Sequence, residues 1–463
     1  MSRQYAPGPH GKQLRTSLSR IRHDALTEYL ALHARYGDVV CLPLFSRPLY
    51  LVRHPDAIQH ILHDQAQRYR KGDRFKSIVS VQGRGLLTSE GGFWRQQRRL
   101  MQPVFRQQHV HWFYEVVIEE AQSMVYGWRH AARSREPVNV TAWLHRLAFR
   151  VVGRALLGLQ PADLDPIARQ IESIAALLIH HLASGSTRHA GILAYALAWL
   201  PAPRTRRFRR ALRAYHDIAR HIVEKRRQTM SPNPAADTDL LSRLIRAHDA
   251  KAGLTPKQLR DEIITFIGAG VETSATALSW TWYLLAQHPE MTQRLQAEID
   301  NRLAGRPPLP DDLAELPYSR IILEETMRLY PPSAILPRQA NTVDHLAADH
   351  LESYTIPKHA VVLMSPYVTH RHPGFWPDPE RFDPERFTPE RAADQHRFAY
   401  FPFGAGPRVC IGKPLALLEM HLTLITMAQT YVLRLIPDRP VQPALGATLH
   451  PRGGLWMTVH ERS

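Results

Sequence analysis

Cys410 lies in the segment Phe401-Pro402-Phe403-Gly404-Ala405-Gly406-Pro407-Arg408-Val409-Cys410-Ile411-Gly412, which leads into an expected helix from about Pro414. Gly404, Gly406 and Gly412 permit a tight loop that turns backbone N–H groups toward the sulfur. The N-terminal end of the following helix adds a positive field, which favours thiolate over thiol. Such a sulfur is suited to ligating iron. The competing account is a buried structural cysteine in a Gly-rich turn.

A second constellation is Gly268-Ala269-Gly270-Val271-Glu272-Thr273-Ser274, set inside a helical pattern. Each glycine in a helix interior costs about 1 kcal/mol, so a packing or functional reason is expected. Thr273 follows Ala269 by one helical turn, and its hydroxyl can bond that carbonyl and loosen the helix, leaving room for a small ligand. A close helix–helix contact is the plainer alternative. Glu325 and Arg328 share a helix face, an arrangement that in isolation reads as a surface ion pair.

Together these residues resemble the cytochrome P-450 superfamily. Phe403, Gly406, Arg408, Cys410 and Gly412 fall at the spacing of its haem-binding signature, and Ala269, Gly270 and Thr273 at that of its oxygen-activation motif, with Glu272 in the acidic place. The resemblance runs from about Pro9 to the end of the chain. It implies haem b (iron protoporphyrin IX) as cofactor, Cys410 as axial ligand of the iron, Phe403 shielding the iron–sulfur bond, and Arg408 pairing with a propionate. Trp94 and Arg98, in Phe93-Trp94-Arg95-Gln96-Gln97-Arg98-Arg99, would reach the propionates, as would Arg338. Arg386, in Phe382-Asp383-Pro384-Glu385-Arg386-Phe387, would join Glu325 and Arg328 in a triad bracing the thiolate loop. Thr273 and Glu272 would guide protons to bound dioxygen. Phe266, Ile267, Ile335 and Leu336, with Ala269 and the stretch 71–87, would line an apolar substrate pocket. Ser353 and His359 depart from positions where relatives often carry glycine, and Leu415 replaces a common aromatic residue.

These groups need elements to hold them. Thr255 and Gln258 make a capping box with Pro256 at the first helical position, and the pattern runs to His288-Pro289, roughly 50 Å of helix. Short strands are expected at Val39 to Leu44 and Pro48 to Val52, joined by a Ser46-Arg47 turn, and at Ala360 to Met364. A helix is expected from Asp24 to Tyr36, and most of the middle of the chain is helical. The fold class is therefore mainly α with a small β-rich lobe. Residues 1–22 are expected as an N-terminal extension without a membrane anchor, and residues 23–463 as one haem-thiolate domain.

Composition sets the outer bounds. Of 463 residues, 44% are hydrophobic and 22% charged, which excludes a disordered chain, and two cysteines exclude a disulfide scaffold. The apolar stretch Ala190 to Leu200 falls short of the ~20 residues a membrane span requires. A soluble cytoplasmic monomer is expected, with peripheral membrane contact open. A net charge of +17 suits an acidic ferredoxin- or flavodoxin-type electron donor with its reductase, needed because no flavin or iron–sulfur segment is present. The other expected partners are dioxygen and an apolar small molecule. A haem-thiolate peroxygenase or isomerase, or a haem sensor, is the alternative within the fold. The basic run Arg204 to Arg213 raises nucleic acid as a remote one, and no nucleic acid is expected. The pairs His109 with His111, His180 with His181, and His370 with His372 lack a third metal ligand at recognisable spacing and are read as surface or packing residues.

Overall fold

Thr255 caps the longest helix, Pro256–Gln287: its hydroxyl accepts from Gln258 N at 3.3 Å while Gln258 Oε1 accepts from Thr255 N at 2.7 Å. Thirty-two residues at 1.5 Å each give about 48 Å. Thr255→Ala should cost about 1 kcal/mol, the usual worth of an N-cap, read as a lower denaturant midpoint at unchanged slope. A computed structural model describes residues 5–44, 47–105, 110–186, 203–233, 236–237, 239–250, 254–348 and 351–462. The stretch Ala190 to Leu200, the Ser46 half of the expected turn, and His109 lie outside the described residues, as do the side chains of His111, His180 and His181.

The chain folds as two compact units. The first comprises Met1–Phe75 and Ile321–Cys410. Its centre is a five-stranded sheet in the order Val39–Leu42, Leu49–Val52, Val361–Met364, Leu336–Ala340, Tyr69–Arg70. Only the pairing of Leu49–Val52 with Val361–Met364 is parallel. Both strands Val39–Leu42 and Leu49–Val52 are buried along their whole length, as β-branched and aromatic residues covered on two faces should be. Residues expected as an extension include the helix Gly11–His23, and Ala6 is buried in the sheet's core. Pro7 O accepts from Cys41 N at 2.8 Å, which ties that segment to the sheet.

The second unit comprises Lys76–Arg320 and Ile411–Ser463. Its helices include Val110–Gly127, Val140–Ala155, Pro256–Gln287 and Lys413–Thr430, and its largest sheet pairs Trp456–Glu461 with Val138–Asn139 and Tyr431–Leu435. Trp128, Trp280 and Trp282 are fully buried, and Trp280 Nε1 donates to Leu449 O at 2.7 Å, so the polar end of this large side chain is satisfied. Among the described residues no helix is long and apolar enough to cross a membrane.

Candidate functional site

In the first unit, Gly404 and Gly406 adopt φ of +69° and +66°, and Cys410 N donates to Phe403 O at 3.0 Å to close the loop. Gly406 is required twice over: a Cβ there would stand 1.8 Å from Leu62 O, in the π-helical turn His60–Asp64. Gly412 is different. Its φ of −84° is open to any residue, so the conformational reason expected of it does not hold; it serves as N-cap of Lys413–Thr430. Of the two free cysteines, Cys41 is buried in the sheet and Cys410 is exposed. A buried thiol is the norm, so Cys410 is the cysteine whose sulfur is accessible.

The Glu325–Arg328 pair is fully buried, not a surface pair. Arg328 Nε and Nη2 donate to the two Glu325 oxygens at 2.6 and 2.8 Å, and its remaining donors reach His370 O at 2.8 Å, Pro379 O at 2.7 Å and Arg381 O at 3.0 Å. Arg386 Nε stands 3.5 Å from Glu325 Oε1, so the structure brings the three together. Burial pushes the Glu325 carboxyl up against the pull of Arg328 and Arg386, and pushes Arg386 down.

His370 links this cluster to the thiolate loop. Its Nε2 accepts from Phe401 N at 3.0 Å and its Nδ1 lies 3.3 Å from Arg328 O, which fixes the neutral tautomer with the proton on Nδ1. Burial lowers its pKa to about 3, so it stays neutral in this role. Tyr400 OH adds a second tie, to Glu324 O at 2.9 Å. Sequence spacing gives no signal for the His370 link; both His370 and His372 are buried, in line with a packing role, and His372 bonds Asp38 at 3.1 Å. No group of three metal ligands occurs among the described residues. Arg338 and Arg408 are half-buried in this unit, Leu336 packs 3.8 Å from where a Gly404 Cβ would stand, and Ile335 packs beside the sheet. His359 carries φ +69°, which explains why glycine suits that position.

In the second unit, the middle of the long helix is buried from Asp261 to Ile267 and again from Ser274 to Trp282, and within that span it opens at Gly268 to Thr273. Ala269 is exposed there, and Thr273 Oγ1 donates to Ala269 O at 2.8 Å. Gly270 also has a packing reason, since a Cβ would meet Val152 Cγ2 at 2.9 Å. Glu272 Oε1 accepts from Thr448 Oγ1 at 2.9 Å. Phe266 is buried and stacks on Phe105 at 5.8 Å between centroids, and Ile267 is buried beside it. Trp94 and Arg98, one turn apart on the helix Gly91–Met101, are both half-buried. Ser274 Oγ donates to Glu419 Oε2 at 3.2 Å, and burial raises that carboxyl to about 8, a feature sequence reading missed.

These residues fit a haem. In the first unit Cys410 presents an exposed thiol, with half-buried guanidiniums at Arg338 and Arg408; in the second, Arg98 is half-buried and the long helix opens around Ala269, so the donor chemistry in each unit suits an iron ligand, propionate partners and a flat ring.

The chain matches the family model described as Cytochrome P450 over residues 7–457. It is 33% identical over 420 residues to cyclooctatin synthase of Streptomyces melanosporofaciens, covering 90% of this chain and 87% of that protein. It is 30% identical over 427 residues to pentalenene oxygenase of Streptomyces avermitilis, covering 92% and 90%. The crystal structure of cytochrome P450DA heme domain superposes with a TM-score of 0.84 at 24% identity, over 100% of this chain and 98% of that one, and so shares the fold. This chain belongs to the cytochrome P450 family of haem-thiolate monooxygenases.

Proposed function

We propose that the chain inserts one atom of dioxygen into an apolar terpenoid, by hydroxylation or epoxidation, with electrons from a separate ferredoxin- or flavodoxin-type protein and its reductase. The observation that carries the reading is the opening at Gly268 to Thr273 in the buried middle of the long helix, with the Thr273 hydroxyl folded back on Ala269 O at 2.8 Å. The substrate class is taken from relatives named as cyclooctatin synthase, cyclooctat-9-en-7-ol 5-monooxygenase and pentalenene oxygenase.

Cys410 would hold the haem, which would supply the redox chemistry for using dioxygen. The protein's own work is positional and protonic. Phe266 and Ile267 in the second unit, and Ile335 and Leu336 in the first, would each offer apolar surface to a substrate. Arg98, Arg338, Arg408 and Trp94 would hold the propionates, and the triad of Glu325, Arg328 and Arg386 would keep the cysteine loop rigid through His370. The Thr273 hydroxyl, by releasing the Ala269 carbonyl, orders a water for proton transfer, and Glu272 supplies that water with protons.

Thr273→Ala should keep the thiolate spectrum and substrate binding, while product formed per reduced nicotinamide consumed falls by roughly tenfold or more and peroxide appears instead. Coupling measured against a panel of diterpene and sesquiterpene substrates, with fatty acids for contrast, tests both halves. Unchanged coupling would remove Thr273 from the proton path; turnover of fatty acids alone would reject the terpenoid assignment.

A further inference from the structure

The helix Val140–Ala155 crosses the long helix in antiparallel fashion, with its register fixed at two points. The Thr141 and Ser279 hydroxyls are 2.9 Å apart, and Val152 fills the notch at Gly270. His145 follows Thr141 by one turn on the same face. It therefore falls beside Thr276 and Glu272, which precede Ser279 by about one and two turns. Thr448 closes the group: its hydroxyl donates to Glu272 Oε1 at 2.9 Å and lies 3.4 Å from Thr276 Oγ1, and Thr448 O lies 3.1 Å from His450 Nδ1.

His145 is half-buried, and its Nε2 is buried with no hydrogen-bond partner among the described residues. A buried unsatisfied polar atom costs roughly 1–3 kcal/mol and calls for a reason. The charged groups that act on the ring come from three elements: Glu272 from the long helix, His450 from the strand Leu449–Pro451, and Glu172 from the helix Pro161–Ser186. Glu172 is exposed at the surface. The ring is thus within electrostatic reach of both Glu172, which is open to solvent, and Glu272.

We propose that His145 is the relay through which solvent protons reach Glu272. The assignment rests on Glu272 being the acid described under Proposed function. A water gives a proton to the outer ring nitrogen, and the proton on Nε2, which has no direct partner, passes through one intervening water to the Glu272 carboxylate. The imidazole ends neutral in the other tautomer and returns by exchange with solvent. One proton moves inward and no electron is transferred. Burial lowers the ring's basicity, so it is neutral near pH 7 and carries one donor and one acceptor nitrogen, as a relay must.

The test uses the haem-loaded enzyme with its electron-transfer proteins. His145→Gln keeps size and polarity but cannot exchange tautomers. It should retain the thiolate spectrum, substrate affinity and thermal midpoint, while coupling falls about fivefold and the solvent deuterium isotope effect on product formation rises about twofold. In series with Glu272, it should add nothing to Glu272→Gln in the double variant. A merely structural histidine would move the midpoint and leave the isotope effect as in the parent. If Glu272→Gln uncouples the enzyme and His145→Gln leaves coupling and isotope effect alone, the relay is overturned while the role of Glu272 stands. If Glu272→Gln itself leaves coupling intact, both assignments fall.

Discussion

Cys410→Ser should give a folded protein whose reduced carbon monoxide adduct lacks the thiolate signature and whose monooxygenase turnover is lost. The loop accepts the change sterically, because its geometry is set by Gly404 and Gly406 at positive φ and by the Cys410 N to Phe403 O bond, none of which involves sulfur. What would be removed is the sulfur ligand, whose electron donation the haem chemistry of this family needs and a serine oxygen would not supply. Cys41→Ser is the matched control. That thiol is buried in the sheet and burial pushes its pKa up, so it is chemically inert and its replacement should cost stability without touching the spectrum. An unaltered thiolate signature in Cys410→Ser, or its loss in Cys41→Ser, would reverse the assignment of the two cysteines.

The parts of the site written in contiguous sequence were legible before any coordinates. The capping box at Thr255 and Gln258 and the Thr273-to-Ala269 bond are local, fixed by residues within a turn of each other. What escaped is non-local. Gly406 is shaped by Leu62 O, more than 300 positions away in the chain, and no spacing rule connects them. Spacing put Glu325 and Arg328 on one helix face but could not say that the face is interior, because an ion pair at that spacing is solvated in most helices. His370 was invisible for the same reason: its two ring bonds, to Phe401 N and Arg328 O, cross 31 and 42 residues. Gly412 shows the converse, a motif position at which the conformational argument was wrong although the spacing was right.

Burial of the triad makes Arg328 the most consequential side chain outside the cysteine loop. Arg328→Ala removes both bonds to Glu325 and leaves the carbonyls of His370, Pro379 and Arg381 without that donor, in a site where neither Glu325 nor Arg328 is solvent-exposed. Breaking one partner out of a buried pair costs about 3–5 kcal/mol, mostly the penalty of an uncompensated charge. Arg328→Lys recovers little of it, because one ammonium cannot reach two carboxylate oxygens and three carbonyls in a fixed fork. Arg386→Ala should cost less, since its guanidinium stands 3.5 Å from Glu325 and its Nε makes no hydrogen bond. The sign of the pH effect follows from burial, which already raises the Glu325 carboxyl above its ordinary 4.5. Without Arg328 that carboxyl rises further and is retained neutral in the folded state. A raised folded value contributes stability below the unfolded pKa and loses it as pH climbs through the folded one. Denaturant melts of Arg328→Ala should therefore lie closer to the parent near pH 5 than near pH 8, with haem released from the variant first at the higher pH. A loss under about 1 kcal/mol, or a deficit that widens on acidification, would mean that Glu325 is not held as a buried anion by Arg328.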